Sequence, residues 1–225
     1  MTDPRPLVRV EEVTKVWPTP SGGVRALDRV SLDIGEGEFL AVTGPSGSGK
    51  STLLSLVGCL DFPTGGEIRI GGRPVKGLSD DGLAALRRDH VGFVPARFGL
   101  VPLFTVRENL EFPLLLKKEA GGKDGRSAGV LAAAGLGPDL LPRRPDELTP
   151  GQQRRAAIAR ALVNDPAILV CDEPTLDLDS KESEGVMTLL ADLNRKGKTV
   201  LIAARDPQVA ARAGRTVRLV DGRIA

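Results

Sequence analysis

Eight consecutive residues limit what this chain can fold into more than any other feature. Gly44, Pro45, Ser46, Gly47, Ser48, Gly49, Lys50 and Ser51 follow directly on an apolar, β-branched run at 39–43 and lead directly into a helical pattern at 51–57. Strand, glycine-rich turn and helix in that order fit the G-x-x-x-x-G-K-S/T phosphate-binding spacing together with its structural context. Glycines let successive backbone N–H groups turn inward toward anionic oxygens, the N-terminus of the following helix favours negative charge, and Lys50 supplies a mobile cation. The Ser51 hydroxyl can ligate Mg²⁺. A functionless Gly/Ser turn competes with this reading for a lone G-x-G-x-x-G. It fits far less well once Lys50 and Ser51 are in register.

A second element supports the same chemistry. Residues 167–171 run apolar without a break, as a central strand covered on both faces does, and end in Asp172 and Glu173. Packing gives a buried strand no reason to end in two carboxylates, although they could cap the next turn. Asp172 can hold Mg²⁺ directly or through water, and Glu173 is placed to polarise a water attacking a terminal phosphate.

The rest of the pattern sets the architecture. Runs at 38–43, 50–59, 167–171, 181–194 and 199–203 alternate between β-branched and helical character, which predicts a parallel sheet with crossover helices. Residues 7–34 differ, because two β-rich runs flank a Pro/Gly-rich turn at 18–23 with no helix between them. An antiparallel β region is expected there. Between about 98 and 164 the pattern turns helical, with helices expected at 108–118 and 127–134 around a Gly-rich break at 121–125. The expected fold is α/β: a P-loop NTPase core with a mostly parallel sheet, an N-terminal antiparallel β region and an inserted α-helical subdomain. One domain is expected over 1–225, with the core at roughly 1–95 and 166–225 and the helical subdomain at roughly 96–165.

Composition removes several function classes. Lys plus Arg number 31 against 29 Asp plus Glu, with no sustained block of one sign, so no nucleic acid is expected as a partner. Cys59 and Cys171 lie in apolar surroundings outside any CxxC or His-rich pattern and read as buried, reduced thiols. The first ten residues lack the regions of a secretion signal, and no apolar run approaches the ~20 residues of a membrane span. A cytoplasmic location is expected, with any membrane role exercised through a separate chain.

Two further segments complete a recognisable set: Leu148-Thr149-Pro150-Gly151-Gln152, running into a helical stretch that ends at Leu162, and Cys171-Asp172-Glu173-Pro174-Thr175. With the loop at 44–51, they make the chain resemble the ATP-binding subunits of ABC transporters from Val8 to Ile224. Val57-Gly-Cys-Leu-Asp61 and Leu103-Phe-Thr-Val-Arg-Glu-Asn-Leu110 resemble the branch that contains the macrolide-exporter, lipoprotein-releasing and FtsE-like ATPases. The resemblance implies ATP and Mg²⁺ as cofactors, phosphate contacts from Gly44 to Thr52, metal contacts at Ser51 and Asp172, and Glu173 as the catalytic residue. It implies head-to-tail pairing of two such subunits, so that each ATP lies between one P-loop and the other subunit's Thr149, Gly151 and Gln152. The implied partners are an integral membrane subunit and a second ATP-binding subunit, identical or a more complete paralogue, and the implied location is peripheral on the cytoplasmic face of the membrane. Trp17 falls where the family places an aromatic that stacks on adenine. A core Trp is the competing reading, and the exposed Pro/Gly turn just beyond it favours stacking.

Four segments depart from the family pattern. Ala96 stands where a Gln reaches Mg²⁺ or the attacking water, and Arg205 stands where a His contacts the γ phosphate. Arginine is always cationic and offers no acceptor, so it cannot copy an imidazole. The sole histidine, His90, reads as a surface or helix-end residue. Pro150 replaces a Gly in the signature segment, where Thr-Pro-Gly-Gln also makes a good helix start with Thr149 as N-cap and Gln152 closing a capping box. Leu176-Asp177 replaces the family's Gly-Asn. The expected function is an ATP-binding subunit that transmits ATP-dependent dimer closure to a membrane partner, with hydrolysis impaired or confined to the partner's site. A regulatory or scaffolding protein that binds ATP with little turnover is the alternative.

Overall fold

The computed structural model describes residues 6–20, 22–115 and 125–225. Its strands are β1 (Val8–Thr19), β2 (Gly22–Ile34), β3 (Phe39–Thr43), β4 (Gly65–Ile70), β5 (Arg73–Pro74), β6 (Val91–Val94), β7 (Ile168–Asp172), β8 (Thr199–Ala203), β9 (Arg215–Val220) and β10 (Arg223–Ile224). Its helices are α1 (Lys50–Val57), α2 (Asp80–His90), α3 (Val106–Leu115), α4 (Arg126–Ala133), α5 (Pro150–Leu162), α6 (Ser180–Arg195) and α7 (Pro207–Ala210). One sheet has the order β10-β9-β3-β8-β7-β6. Its strands from β9 to β6 pair in parallel, and β10 turns back antiparallel on β9. The second sheet, β2-β1-β4-β5, is antiparallel throughout.

The unbroken apolar runs of the parallel strands have a simple cause. Side chains alternate between faces, and both faces are covered. Phe39, Ala41, Leu169, Cys171, Val200 and Ile202 enter one core, while Leu40, Val42, Ile168, Val170, Leu201 and Ala203 enter the other. The first core includes Leu110, Leu131, Ile158 and Leu190, so α3 to α6 cover that face. The second includes Leu53 and Leu56 of α1 with Val10, Ile34 and Ile68 of the antiparallel sheet, so α1 lies between the two sheets. Because the strands are parallel, their C-terminal ends share one edge. The loop after Thr43, the carboxylates at the end of β7 and the residues after Ala203 must therefore meet there, at the edge where ligands of open α/β sheets bind.

Element ends differ from the sequence expectation by local chemistry. α1 stops at Val57 because Cys59 turns to φ 52° and the Leu60 N–H reaches back to the Ser55 carbonyl at 2.9 Å. α3 starts at Val106, two residues ahead of the expected 108. The cause is a capping box in which Thr105 Oγ1 accepts from the Glu108 N–H at 3.2 Å and the Glu108 carboxylate accepts from the Thr105 N–H at 2.7 Å. The expected helical stretch at 116–118 and the break at 121–124 lie outside the described residues; Gly125, at φ 93°, caps α4. α2, β4, β5, β6, β9 and β10 fall where the sequence pattern sets no element. His90 closes α2. Cys59 and Cys171 are free, and burial pushes both thiols up to about 12. Among the described residues, no helix is long and apolar enough to cross a membrane.

Candidate functional site

The loop between β3 and α1 is pinned from beneath where only glycine fits. A Cβ on Gly44 (φ 143°) would stand 2.0 Å from the Leu219 carbonyl oxygen, and one on Gly49 (φ 101°) would stand 2.3 Å from that of Ala26. Pro45, Ser46, Gly47 and Ser51 face solvent, while Ser48 and Lys50 are buried. Gly49 caps α1 and brings no side-chain oxygen to it. The first N–H groups of α1 are thus left for an external acceptor, the usual basis of an anion site at a helix start. Lys50 Nζ folds back over the loop and donates to the Gly44 and Pro45 carbonyls, each at 2.8 Å. Burial lowers its pKa, and the carboxylates of Glu173 and Asp172 oppose that shift.

Asp172 ends β7 in register with Ala203, and among the described residues its buried Oδ1 has no hydrogen-bond partner. An ionised oxygen held that way is costly unless something answers it. A divalent cation shared with the exposed Ser51 hydroxyl fits this donor set of hard oxygens. Glu173 follows in a left-handed conformation, φ 47°, which costs a side chain about 1 kcal/mol or more and persists only when its surroundings demand it. Its N–H donates to the Ala203 carbonyl at 3.0 Å. Both of its carboxylate oxygens are taken by Arg205: Nε donates to Oε1 at 2.9 Å and the Arg205 backbone N–H donates to Oε2 at 3.3 Å. The Arg205 side chain is 60% exposed, against 11% for Glu173. Arg205 divides two open cavities. One, of about 620 Å³, includes Glu173, Asp177 and Asp206, and the other, of about 630 Å³, includes Gly44, Pro45 and Arg218.

The signature segment forms the expected helix start. Thr149 Oγ1 accepts from the Gln152 N–H at 3.2 Å, the Gln152 side chain accepts from the Thr149 N–H at 3.0 Å, and Pro150 opens the helix. The sequence reading missed Glu182, on the first turn of α6. Its Oε1 accepts from the Thr149 hydroxyl at 3.0 Å and from the Gly151 N–H at 3.1 Å. It also missed Arg154, a buried cation in α5 that donates to the Pro95 and Ala96 carbonyls at 2.9 and 2.7 Å and lies 4.8 Å over the Phe98 ring. Asp179 caps α6 by accepting from the Glu182 N–H at 2.7 Å.

Trp17 is 40% exposed, so the core reading of this residue does not hold. It pairs with Val24, two residues from Ala26, whose carbonyl lies beneath Gly49. Lys15 Nζ stands 4.4 Å from the centroid of its ring. The structure thus brings Gly44–Lys50, Asp172, Glu173 and Arg205 to one edge, with Trp17 on the strand pair that supports the loop. Thr149, Gly151 and Gln152 bond instead to Glu182 and to one another.

Comparison with known proteins agrees with this geometry. The family model described as "ABC transporter" matches residues 27–176. The chain is 46% identical over 220 residues to "Macrolide export ATP-binding/permease protein MacB 1/2" of Paracoccus denitrificans, covering 97% of this chain and 33% of that protein. It is 44% identical over 223 residues to "Uncharacterized ABC transporter ATP-binding protein MJ0796" of Methanocaldococcus jannaschii, covering 97% and 95% respectively. The chain therefore spans about a third of the length of the curated macrolide-export relatives it matches. Among solved structures, a dimeric post-hydrolysis state of the ATP-binding cassette MJ0796 bound to ADP and Pi aligns with TM-score 0.90 at 44% identity over 96% of each chain. The structure of cbiO1 from Clostridium perfringens, part of the ABC transporter complex cbiONQ, aligns with TM-score 0.85 at 27% identity over 98% of this chain and 87% of that one. With a P-loop, a carboxylate pair and a signature helix on this fold, the chain belongs to the ABC transporter family as one of its ATP-binding cassettes.

Proposed function

We propose that the chain holds Mg-ATP on Gly44 to Thr52 and uses it to close head to tail on a second ATP-binding subunit, passing that closure to an integral membrane subunit. In this reading the loop N–H groups and Lys50 bind the β and γ phosphates, and Trp17 stacks on adenine. Ser51 and Asp172 hold Mg²⁺, which when bound neutralises charge on the phosphate oxygens. The helices of 96–165 form the subdomain that presents Thr149, Gly151 and Gln152 to the nucleotide of the other subunit. The chain then works on the cytoplasmic face of the membrane, attached through its partner. The observation that carries the metal and phosphate assignment is the buried, unanswered Oδ1 of Asp172, beside a loop whose lysine leans on its own carbonyls.

Hydrolysis is slow in this account. Glu173 is the group that orients water and accepts its proton, and Arg205 holds both of its oxygens, so water activation must wait for that pair to open. Ala96 adds no side-chain ligand. The same contact favours a second reading, a regulatory subunit in which ATP is a structural ligand. Steady-state ATPase assays on the purified chain, alone and with its membrane partner, separate the two. Partner-stimulated turnover abolished by Glu173→Gln supports the transport reading. Tight ATP binding with no turnover in either setting overturns it in favour of the regulatory one.

A further inference from the structure

The N-terminal end of α5 is already occupied by an anion from within the chain. The Thr149 hydroxyl and the Gly151 N–H converge on one oxygen, Glu182 Oε1, at 3.0 and 3.1 Å. Gly151 permits the approach, since a Cβ there would stand 2.7 Å from the Glu182 carboxylate carbon. Glu182 is itself held in place, because its N–H donates to Asp179 Oδ1 at 2.7 Å at the start of α6. A carboxylate oxygen that accepts a hydroxyl and a backbone N–H at a helix start imitates what a terminal phosphate oxygen would accept there.

We propose that Glu182 is an internal competitor for the phosphate of the second subunit's nucleotide, so that ATP-driven pairing must first displace it from the start of α5. The proposal rests on the head-to-tail reading given above. The two donors cannot serve Glu182 Oε1 and an incoming phosphate oxygen at once, and an undisplaced carboxylate would face the phosphate with like charge. Displacement has a defined consequence. Glu182 lies on the first turn of α6, which follows directly on the loop 176–179, and Leu176, Asp177 and Leu178 of that loop also line the cavity beside Glu173. Arrival of nucleotide at α5 therefore frees the start of α6, and the state of one nucleotide site is carried to the loop bordering the other carboxylate pair.

The test compares Glu182→Ala and Glu182→Gln with the parent, all in a Glu173→Gln background that retains ATP. Mg-ATP-dependent dimerisation is followed by sedimentation velocity, and monomer stability by urea unfolding without nucleotide. Both Glu182 variants are expected to dimerise at about tenfold lower protein concentration than the parent, the factor set by loss of one charge-assisted hydrogen-bond competitor. The Glu182→Ala monomer is expected to unfold at lower urea, because Thr149 and Gly151 lose their acceptor, and Glu182→Gln, whose amide oxygen still accepts from both but without the charge, is expected to fall between it and the parent. A residue that merely straps α5 to α6 would lower stability and leave dimerisation unchanged or weaker, and that result overturns the proposal. ATP titration with Lys50→Ala as control keeps the two readings apart. If ATP binds in a Lys50-dependent way and Glu182 variants dimerise no better than the parent, the competitor proposal fails and the nucleotide site stands. If no ATP binds, both fail.

Discussion

Replacing Arg205 by Ala should speed ATP hydrolysis, and the structure sets the size of the gain. The ion pair joins an Arg side chain that is 60% exposed to a Glu side chain that is 11% exposed, at 2.9 Å. So much solvent at one partner keeps its strength near that of a surface pair, about 1 kcal/mol. If Glu173 has to leave Arg205 before it can take a proton from water, the barrier contains that ~1 kcal/mol, and its removal raises the rate about fivefold. The backbone N–H of residue 205 still donates to Oε2, so the carboxylate keeps its position. The assay is phosphate release at saturating Mg-ATP for the parent, Arg205→Ala, Glu173→Gln and the double variant. The gain should vanish in the Glu173→Gln background, a non-additivity expected only if Arg205 acts through Glu173. High salt should narrow the difference by screening the exposed pair. A rate that falls in Arg205→Ala would refute the reasoning and make Arg205 a phosphate ligand. So would a gain that persists without the Glu173 carboxylate.

Other residues make independent predictions. Arg154→Met should fill most of the space but strand the Pro95 and Ala96 carbonyls, which Arg154 now satisfies, and cost about 2–4 kcal/mol in urea unfolding; an unchanged midpoint would deny that this buried cation ties α5 to the segment around Ala96. Trp17 is the sole Trp, so ATP should change the intrinsic fluorescence of the parent and not of Lys50→Ala, and Trp17→Ala should weaken ATP binding by about 1 kcal/mol. Fluorescence indifferent to bound ATP would remove the stacking assignment. Cys59 and Cys171 should resist alkylation at pH 8 in the folded chain and react on unfolding, because burial pushes both thiols from 9.0 up to about 12. Their raised folded values contribute stability that is fully present below the unfolded pKa and lost as pH climbs toward about 12. Rapid modification of the native protein would contradict this.

The parts of the fold that were legible in the sequence are those whose signal is local. The P-loop joins two elements directly, and β7 announces itself by an unbroken apolar run ending in carboxylates. β5 and β10 are two exposed residues each and show no alternation, and in β4 the alternation of Glu67, Ile68, Arg69 and Ile70 is only four residues long and follows two glycines. α2 has a Ser79 cap and two acidic residues in its first turn, but its polar composition hides the helical stripe. The site was legible as separate motifs and not as contacts. Glu173 and Arg205 are 32 residues apart, and Thr149 and Glu182 are 33 apart. The first contact follows from the pairing of Asp172 with Ala203, which only the assembled sheet provides. The second depends on how α5 packs against α6. Both change what the motifs can do, because residues read as a free base and free donors are engaged by a cation and an anion of the same chain.

Calorimetric titration of ATP into the purified chain, with and without Mg²⁺, reads directly whether the loop from Gly44 to Ser51 holds Mg-ATP. One nucleotide per chain is expected, with binding strengthened by Mg²⁺, lost in Lys50→Ala, and deprived of its Mg²⁺ dependence in Asp172→Asn. Equal ATP affinity in the parent and in Lys50→Ala would mean that this loop does not hold the nucleotide.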